Sequence, residues 1–353
     1  MERPDLRGLP CDRLTAFMAA LGLPPATAPR VFVDLQRTGV DGFADMGVKG
    51  EIRDILAERS FVSRLMPFAL ETSEDGTRKF VFRLPDGALI ESVLIPEGKR
   101  HTLCLSSQAG CAMGCAFCLT GCMGFVRNLT PAEIVNQVLA VIGWMRANGI
   151  RRPTPREYVN NLVLMGMGEP LANYESVRDA LLILMDWRGL EFTGRRVTVS
   201  TCGLVPGIAA LGRDLRVNLA VSLHAADDET RSRLMPVNRT YPLERLLAAL
   251  RTYPLAKKRV ILIEYILIAA VNDRETDAHQ LADRLRGIPC RINLLPCNPA
   301  NELPFQRPEA ERVARFAQVL RQAGYTTIIR ASRGADIAAA CGQLAGTIDS
   351  LSV

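Results

Sequence analysis

The 353-residue chain contains no run of about 18 uncharged apolar residues, the length expected of a membrane-spanning helix. Its first residues, Met-Glu-Arg-Pro-Asp, lack the basic and then apolar segments of a secretory signal. No internal repeat or low-complexity segment is found. No Gly-x-Gly-x-x-Gly follows an early strand, which disfavours an open dinucleotide-binding sheet. From these absences we predict a cytoplasmic protein with no membrane partner.

The composition is close to that of an ordinary globular protein. Hydrophobic residues make up 48% and charged residues 23%, so the chain can bury a core without support from disulfides. The length suits one α/β barrel with a small appendage, and we expect a monomer. The net charge of +6 and the pI of about 8.9 favour a polyanionic partner, although many proteins that bind no nucleic acid carry a similar excess.

The spacing of apolar residues divides the chain into three parts. Residues 1–75 form a predicted small helical module, and residues 76–100 form a linker and a β-hairpin around an Asp-Gly turn. The predicted helices of the module are 12–21, 29–38 and 48–58, and the hairpin strands are 79–84 and 88–95.

From residue 101 to residue 353, β-rich runs alternate with helical stretches, which predicts parallel strands joined by crossover helices. The predicted fold is α/β, a partial (β/α)6 barrel that binds ligands at the carboxyl ends of its strands. The predicted strands are 102–106, 161–165, 196–200, 218–222, 260–267, 291–295 and 326–330.

Three cysteines follow the first of these strands in the run Cys111-Ala-Met-Gly-Cys115-Ala-Phe-Cys118. In a reducing compartment, clustered thiols indicate metal binding or catalysis more often than a disulfide framework. Three thiolates at this spacing suit three irons of a [4Fe-4S] cubane whose fourth iron stays open. The open iron can chelate the amino and carboxylate groups of S-adenosylmethionine. Zinc binding or unrelated thiols are the alternative reading.

Cys122 extends the run to a fourth cysteine. As a fourth ligand it would close the cluster, and the protein would be an electron carrier, or an iron-sulfur redox sensor that binds RNA. We favour a free thiol at Cys122, because other residues suited to S-adenosylmethionine are present.

Several motifs occur in one order along the chain. They are Leu103-Cys104-Leu-Ser-Ser-Gln-Ala-Gly-Cys111, Gly124-Phe-Val-Arg-Asn-Leu-Thr130, Met165-Gly-Met-Gly-Glu-Pro-Leu171, Ser222-Leu-His224, Pro296-Cys-Asn-Pro299 and Arg333-Gly-Ala-Asp-Ile-Ala-Ala-Ala-Cys-Gly-Gln-Leu-Ala-Gly346. With these motifs the chain, from about Leu84 onward, resembles the radical S-adenosylmethionine methyltransferases that modify carbon 2 of adenine in 23S rRNA and tRNA. More distantly it resembles their carbon-8 relatives, which confer antibiotic resistance.

The resemblance implies a set of contacts to S-adenosylmethionine. Gly168 and Glu169 would bind its methionyl amino group, and a carboxylate suits an ammonium partner on chemical grounds as well. Glycines at this strand end would let a ligand approach the backbone. Without the resemblance, we would interpret His224 as a buried core histidine and not as a ligand contact. The remaining contacts implied by the family are Ser200, Ser222, Leu223, His224 and Asn298.

The resemblance also implies that a cysteine carries the methyl group. One molecule of S-adenosylmethionine would methylate Cys341. A second molecule, cleaved to a radical, would abstract hydrogen from that methyl group, and the resulting carbon radical would add to adenine. Each turnover would therefore use two molecules of S-adenosylmethionine. Cys104 would release the product by forming a disulfide with Cys341. Glu91 is the implied proton acceptor, with a solvated strand carboxylate as the alternative. Without the resemblance, Cys341 reads as a small core residue.

The implied partners are 23S rRNA, tRNA and an electron donor such as flavodoxin. The expected substrates are a peptidyl-transferase-centre adenine and an anticodon-adjacent adenine. The N-terminal module would position the RNA, by analogy only. Carbon-8 methylation remains an alternative activity.

Overall fold

The computed structural model describes residues 3–299 and 303–345. The N-terminal module is helical, as its apolar spacing predicts. Its helices are α1 (Cys11–Ala20), α2 (Ala28–Val33) and α3 (Gly50–Arg59), and a π-helical turn over Asp34–Thr38 extends α2.

A short antiparallel sheet follows the module. Its strands are β1 (Pro67–Thr72), β2 (Arg78–Arg83) and β3 (Leu89–Glu97). The β2–β3 hairpin is where the sequence predicts it. Strand β1 differs from the expectation, because it lies in the segment predicted to be helical and pairs with β2 instead. The Asp-Gly turn at residues 75–76 between β1 and β2 is the signal that the apolar spacing alone overlooks.

Seven parallel strands continue this sheet. They are β4 (Arg100–Cys104), β7 (Asn161–Leu164), β8 (Val197–Thr201), β9 (Asn218–Ser222), β10 (Ile261–Leu267), β11 (Cys290–Pro296) and β12 (Thr327–Ile329). Strand β3 joins them by pairing antiparallel with β4. The order across the ten-stranded sheet is β1-β2-β3-β4-β7-β8-β9-β10-β11-β12.

Helices connect consecutive parallel strands. These helices are α4 (Leu119–Cys122), α5 (Pro131–Ala147), α6 (Pro155–Tyr158), α7 (Tyr174–Met185), α8 (Val205–Asp214), α9 (Asp228–Leu234), α10 (Leu243–Arg251), α11 (Glu275–Arg284) and α12 (Ala310–Gln322). Apolar side chains of the sheet and the helices form one large core. Because β1 and β12 lie at opposite ends of the sheet order, the α/β fold is an open, partial barrel, and the predicted fold class is confirmed.

Helix α5 shows how the sequence fixes one of these connections. Thr130 caps the helix by accepting from the Glu133 amide, and Glu133 accepts in return from the Thr130 amide, so two amide groups of the first turn are satisfied. Gln137 on the buried side of α5 then accepts hydrogen bonds from Ser92 and from the amide of Ser106. The helix is thereby fixed against β3 and the end of β4.

A separate two-stranded sheet, which the sequence reading does not predict, flanks the cysteine loop. It consists of β5 (Gln108–Gly110) and β6 (Phe125–Asn128). Among the described residues, no helix is both long and apolar enough to cross a membrane.

Candidate active site

One cavity lies at the carboxyl ends of the parallel strands, where the fold predicts a ligand site. It encloses about 1010 Å³ of empty space, part of it open to solvent. Most of the predicted site residues line it, namely Cys111, Cys115, Cys118, Gly168, Glu169, Ser200, Ser222, His224, Asn298 and Cys341. Leu223, Cys104 and Glu91 are not among its lining residues.

The three clustered cysteines lie on a loop between β5 and α4. Gly110, just before the loop, has φ +70°, and a Cβ there would lie 2.0 Å from the carbonyl oxygen of Gly124. Only glycine allows this close approach. Cys111 then donates its amide hydrogen to the same carbonyl at 2.8 Å, so the start of the loop is held against β6.

The electrostatics of these thiols fit a bound iron-sulfur cluster. Burial raises the pKa of Cys111 to about 11 and also raises the pKa of Cys115 and of Cys118. For Cys111 and Cys115, the negative charges of neighbouring cysteines and of Glu169 contribute to the raised pKa. Without a metal these thiols therefore stay protonated, and as thiolate ligands they would require bound positive charge of the kind that the irons of a cluster would supply.

Within residues 3–299 and 303–345, no three His, Cys, Asp or Glu side chains converge on a single metal ion. In a cubane each cysteine would bind a different iron, so its three thiols need not meet at one point.

Glu169 presents a carboxylate to the cavity and is held by backbone amides. Its Oε2 accepts from the amide of Cys202 at 2.7 Å and its Oε1 from the amide of Leu171 at 3.0 Å. Burial raises the pKa of this carboxyl, while the two amide bonds oppose that shift. A buried carboxylate of this kind suits a cationic ligand group.

Gly168 also lines the cavity, but its close packing against a neighbouring segment requires glycine there as well as any approach of a ligand. Its φ is +98°, and a Cβ would lie 2.5 Å from Cβ of Gln108. At Gly166 a Cβ would lie 2.7 Å from the backbone of Leu105. Both glycines therefore allow the loop after β7 to pack against the segment after β4.

His224 is both a buried residue and a cavity residue. Burial, together with the positive charge of Arg231, lowers the pKa of His224 to about 3. Its Nδ1 accepts from the amide of Ile266 at 3.0 Å, so the proton of the neutral imidazole resides on Nε2. The Phe117 ring contacts the imidazole edge-on at 4.8 Å between centroids. His224 thus offers an uncharged hydrogen-bond donor to a ligand.

Arg231, on α9, organises this end of the sheet and was not identified from the sequence. Its guanidinium is fully buried and donates to the carbonyl oxygens of Cys202 at 2.7 Å and Leu223 at 3.0 Å, and to Oδ1 of Asn238 at 2.8 Å. The carbonyl of Leu223 is thus bound by Arg231, while its side chain is buried in the apolar core and does not line the cavity. Nothing in the sequence distinguishes Arg231 from the exposed Arg233 of the same helix.

Cys341 lies in the C-terminal loop and lines the cavity; the residue as a whole is exposed, while its thiol lies in surroundings that desolvate it. Desolvation is the main cause that raises the pKa of the thiol to about 11, and the charge of Glu264 contributes in the same direction. Glu264, a buried acid in β10 that also lines the cavity, accepts from Asn293 at 2.8 Å. An acid inside an apolar strand is a signal that the sequence reading missed.

Cys104 ends β4 and is buried. Burial is the main cause that raises its pKa to about 12, and the charge of Cys341 contributes in the same direction. All ten cysteines are free, so the disulfide implied for this pair is absent from this structure. Cys122 is exposed on α4, outside the set of cavity residues.

Glu91 is buried in β3, so the solvated carboxylate considered from the sequence is wrong. Its neighbour Ser92 contacts Gln137 of α5, and strand alternation places Glu91 on the opposite face. Both faces of β3 are covered, which the short alternating pattern does not reveal.

Comparison with known proteins identifies the family. A model described as the Radical SAM superfamily matches residues 105–282. Two relatives named dual-specificity RNA methyltransferase RlmN are each 50% identical to the chain. The Desulfotalea psychrophila protein matches over 98% of this chain and 95% of its own, and the Geobacter sulfurreducens protein over 98% and 93%.

The chain belongs to the RlmN-type radical SAM methyltransferase family. The resemblance seen in the motifs is thereby confirmed. A crystal structure of a radical SAM methyltransferase from Sphaerobacter thermophilus has a TM-score of 0.89 at 44% identity, covering 98% of this chain and 100% of that chain. The full-length match shows that the N-terminal module, which carries none of the quoted motifs, is also part of the family's fold.

Proposed function

We propose that the protein methylates carbon 2 of an adenine in RNA. Its substrates are a peptidyl-transferase-centre adenine of 23S rRNA and an anticodon-adjacent adenine of some tRNAs. The observation that supports this best is the presence of Cys341 in the same cavity as Cys111, Cys115 and Cys118. The names of the relatives, dual-specificity RNA methyltransferases, and the net charge of +6 agree with an RNA substrate.

Cys111, Cys115 and Cys118 would each bind one iron of a [4Fe-4S] cluster. The bound cluster and S-adenosylmethionine supply a radical able to abstract hydrogen from a methyl group. Glu169 would receive the ammonium group of S-adenosylmethionine, beside Gly168. His224 would donate from Nε2, and the other proposed contacts are Ser200, Ser222, Leu223 and Asn298.

Cys341 would carry the methyl group, because carbon 2 of adenine is not nucleophilic and cannot attack a sulfonium methyl directly. Two molecules of S-adenosylmethionine are then used per turnover. Cys104 would attack the sulfur of Cys341, forming the S–S bond and breaking the S–C bond, with the electron pair left on the carbon that becomes the methyl group after protonation. Glu91 would accept the adenine ring proton, and the electron that the adduct radical loses in the same step would return to the oxidised cluster.

The N-terminal module has a groove suited to RNA phosphates. The groove lies between the module and α5, and its lining includes Arg37, Arg64 and Arg146. Arginine side chains bind phosphate in a bidentate manner. Arg7 also lines the groove, but its guanidinium is buried and bonded to the carbonyl oxygens of Leu35 and Val40, so it is not counted among the phosphate ligands. We assign RNA positioning to this module, in a monomeric, cytoplasmic enzyme reduced by a donor such as flavodoxin.

Single substitutions test the cluster assignment. Cys111→Ala, Cys115→Ala or Cys118→Ala should remove both the cluster and RNA methylation, because each thiolate binds its own iron. Cys122→Ala is the matched control and should retain both. Iron content and mass mapping of methylated adenine provide the measurements. If Cys122→Ala loses iron while one of the other three retains it, the ligand assignment is wrong. Methyl on carbon 8 alone would overturn the assigned position.

The cysteine pair should fail in two different ways. Cys341→Ala should give no S-methylcysteine and no RNA product, because the methyl group has no carrier. Cys104→Ala should load Cys341, add it to adenine and stall as a protein–RNA adduct joined by a methylene bridge. The adduct should resist reductant because it is a thioether. A Cys104→Ala protein that is inactive yet free of bound RNA would show that Cys104 has only a structural role.

A further inference from the structure

The loop that carries Cys341 (residues 331–345) is tied on one side to the segment that follows Cys118. The amide of Leu119 donates to the carbonyl oxygen of Gly342 at 2.8 Å, and Thr120 Oγ1 donates to that of Leu344 at 2.5 Å. These bonds hold the residues after Cys341 beside the cluster loop.

On the other side the same loop is tied to the turn between β1 and β2. Asp336 accepts from Ser73 Oγ at 2.6 Å and from the amide of Glu74 at 3.1 Å. Asp75 accepts from the amide of Gly334 at 3.2 Å. We call Asp75 and Asp336 the aspartate clasp, because each carboxylate joins the turn to the loop.

Both carboxylates of the clasp are ionised at neutral pH. Burial alone would raise the pKa of Asp75, but hydrogen bonds from Thr77, Gly334 and Ser73 outweigh it and lower the pKa to about 2. The hydrogen bond from Ser73 is the main cause that lowers the pKa of Asp336. Charged acceptors make stronger hydrogen bonds than neutral ones, so the clasp is complete under assay conditions.

The clasp connects Cys341 to the strands that carry Cys104. The turn belongs to β2, β2 pairs with β3, and β3 pairs with β4, which ends at Cys104. Between the clasp and Cys341, Ala338 has φ +49°, a conformation that non-glycine residues adopt only when their surroundings impose it. The backbone leading to Cys341 is thus held in one shape from the hairpin side.

We propose that Asp75 and Asp336 are positioning residues that hold Cys341 opposite Cys104 for product release. The inference rests on the proposed methyl-carrier function of Cys341. Because the anchor at Leu119 and Thr120 is separate from the clasp, breaking the clasp should leave methyl loading beside the cluster intact. It should slow the step in which Cys104 reaches the sulfur of Cys341.

Asp336→Ala and Asp75→Ala test this inference in the cluster-loaded, full-length enzyme. Both variants should retain iron and S-methyl-Cys341, but RNA turnover should fall. We expect about fivefold for Asp75→Ala, which removes one hydrogen bond between the turn and the loop, and a larger fall for Asp336→Ala, which removes two. The fraction of protein–RNA adduct should rise correspondingly. Glu74→Gln is the control, because it removes a charge from the same turn but keeps the amide that donates to Asp336.

The split between loading and release separates positioning from a general loss of stability, which would lower both together. If Asp336→Ala releases product at the wild-type rate without extra adduct, the clasp does not position Cys341. If Asp336→Ala fails to fold, Ser73→Ala decides by the same measurements, since it removes one donor and leaves both carboxylates. Wild-type enzyme without S-methyl-Cys341 would instead refute the proposed function.

Discussion

Replacement of the buried Arg231 by leucine should strongly destabilise the protein. The guanidinium donates to three buried acceptors, the carbonyl oxygens of Cys202 and Leu223 and Oδ1 of Asn238. Each acceptor left without this donor costs about 1–2 kcal/mol, so the gross loss is about 3–6 kcal/mol. Removing the buried charge returns part of that cost. The net loss should be about 3 kcal/mol, roughly a hundredfold in the folded-to-unfolded ratio.

Urea denaturation of the cluster-free protein, followed by circular dichroism, measures this loss. Arg233→Leu in the same helix is the control, because Arg233 is exposed and should change the free energy of unfolding by less than about 0.5 kcal/mol. Binding of S-adenosylmethionine to the cluster-loaded Arg231 variant should also weaken, since the Cys202 backbone that Arg231 fixes also holds Glu169. A loss of stability below about 1 kcal/mol would refute this reasoning.

Two further predictions concern the walls of the cavity. Gly168→Ala should abolish S-adenosylmethionine binding, because φ of +98° and a Cβ only 2.5 Å from Gln108 would force the loop after β7 to move. Gly143→Ala on α5 is the control, since a Cβ there meets nothing within 4 Å, and this variant should bind normally in calorimetry. Equal binding by the two variants would contradict the prediction. His224 should stay neutral from pH 8 down to pH 5, because its pKa of about 3 lies well below the usual value of about 6.5, so its proton resonances in cluster-free protein should not titrate with a midpoint near 6.5.

The parallel strands and crossover helices could be predicted because each apolar run reports its own local environment. Strand β9 begins and ends where the sequence places it, and β10 differs by one residue. The cluster loop could be predicted for the same reason, since Cys111, Cys115 and Cys118 are close in sequence. The family motifs then supplied Cys341, whose neighbours Glu264 and Cys104 are far away along the chain.

What the sequence could not reveal depends on contacts between distant segments. Arg231 binds carbonyl oxygens of two strand ends, and nothing local distinguishes it from an exposed helix arginine. The clasp joins Asp75 to Gly334, more than 250 residues apart. The alternative of a solvated Glu91 is wrong, because an alternating strand pattern does not show whether the second face of the strand is covered.

The most direct test of the central claim follows the methyl group of Cys341 through one turnover. Enzyme loaded at Cys341 from S-adenosylmethionine with a deuterated methyl group is freed of excess reagent, then given RNA, reductant and unlabelled S-adenosylmethionine. The methyl group delivered to adenine in the first turnover should carry two deuterium atoms, because the radical abstracts the third, and one labelled carbon should leave Cys341 for each adenine methylated. RNA that acquires only unlabelled methyl while Cys341 keeps its deuterium would contradict the role of Cys341 as methyl carrier.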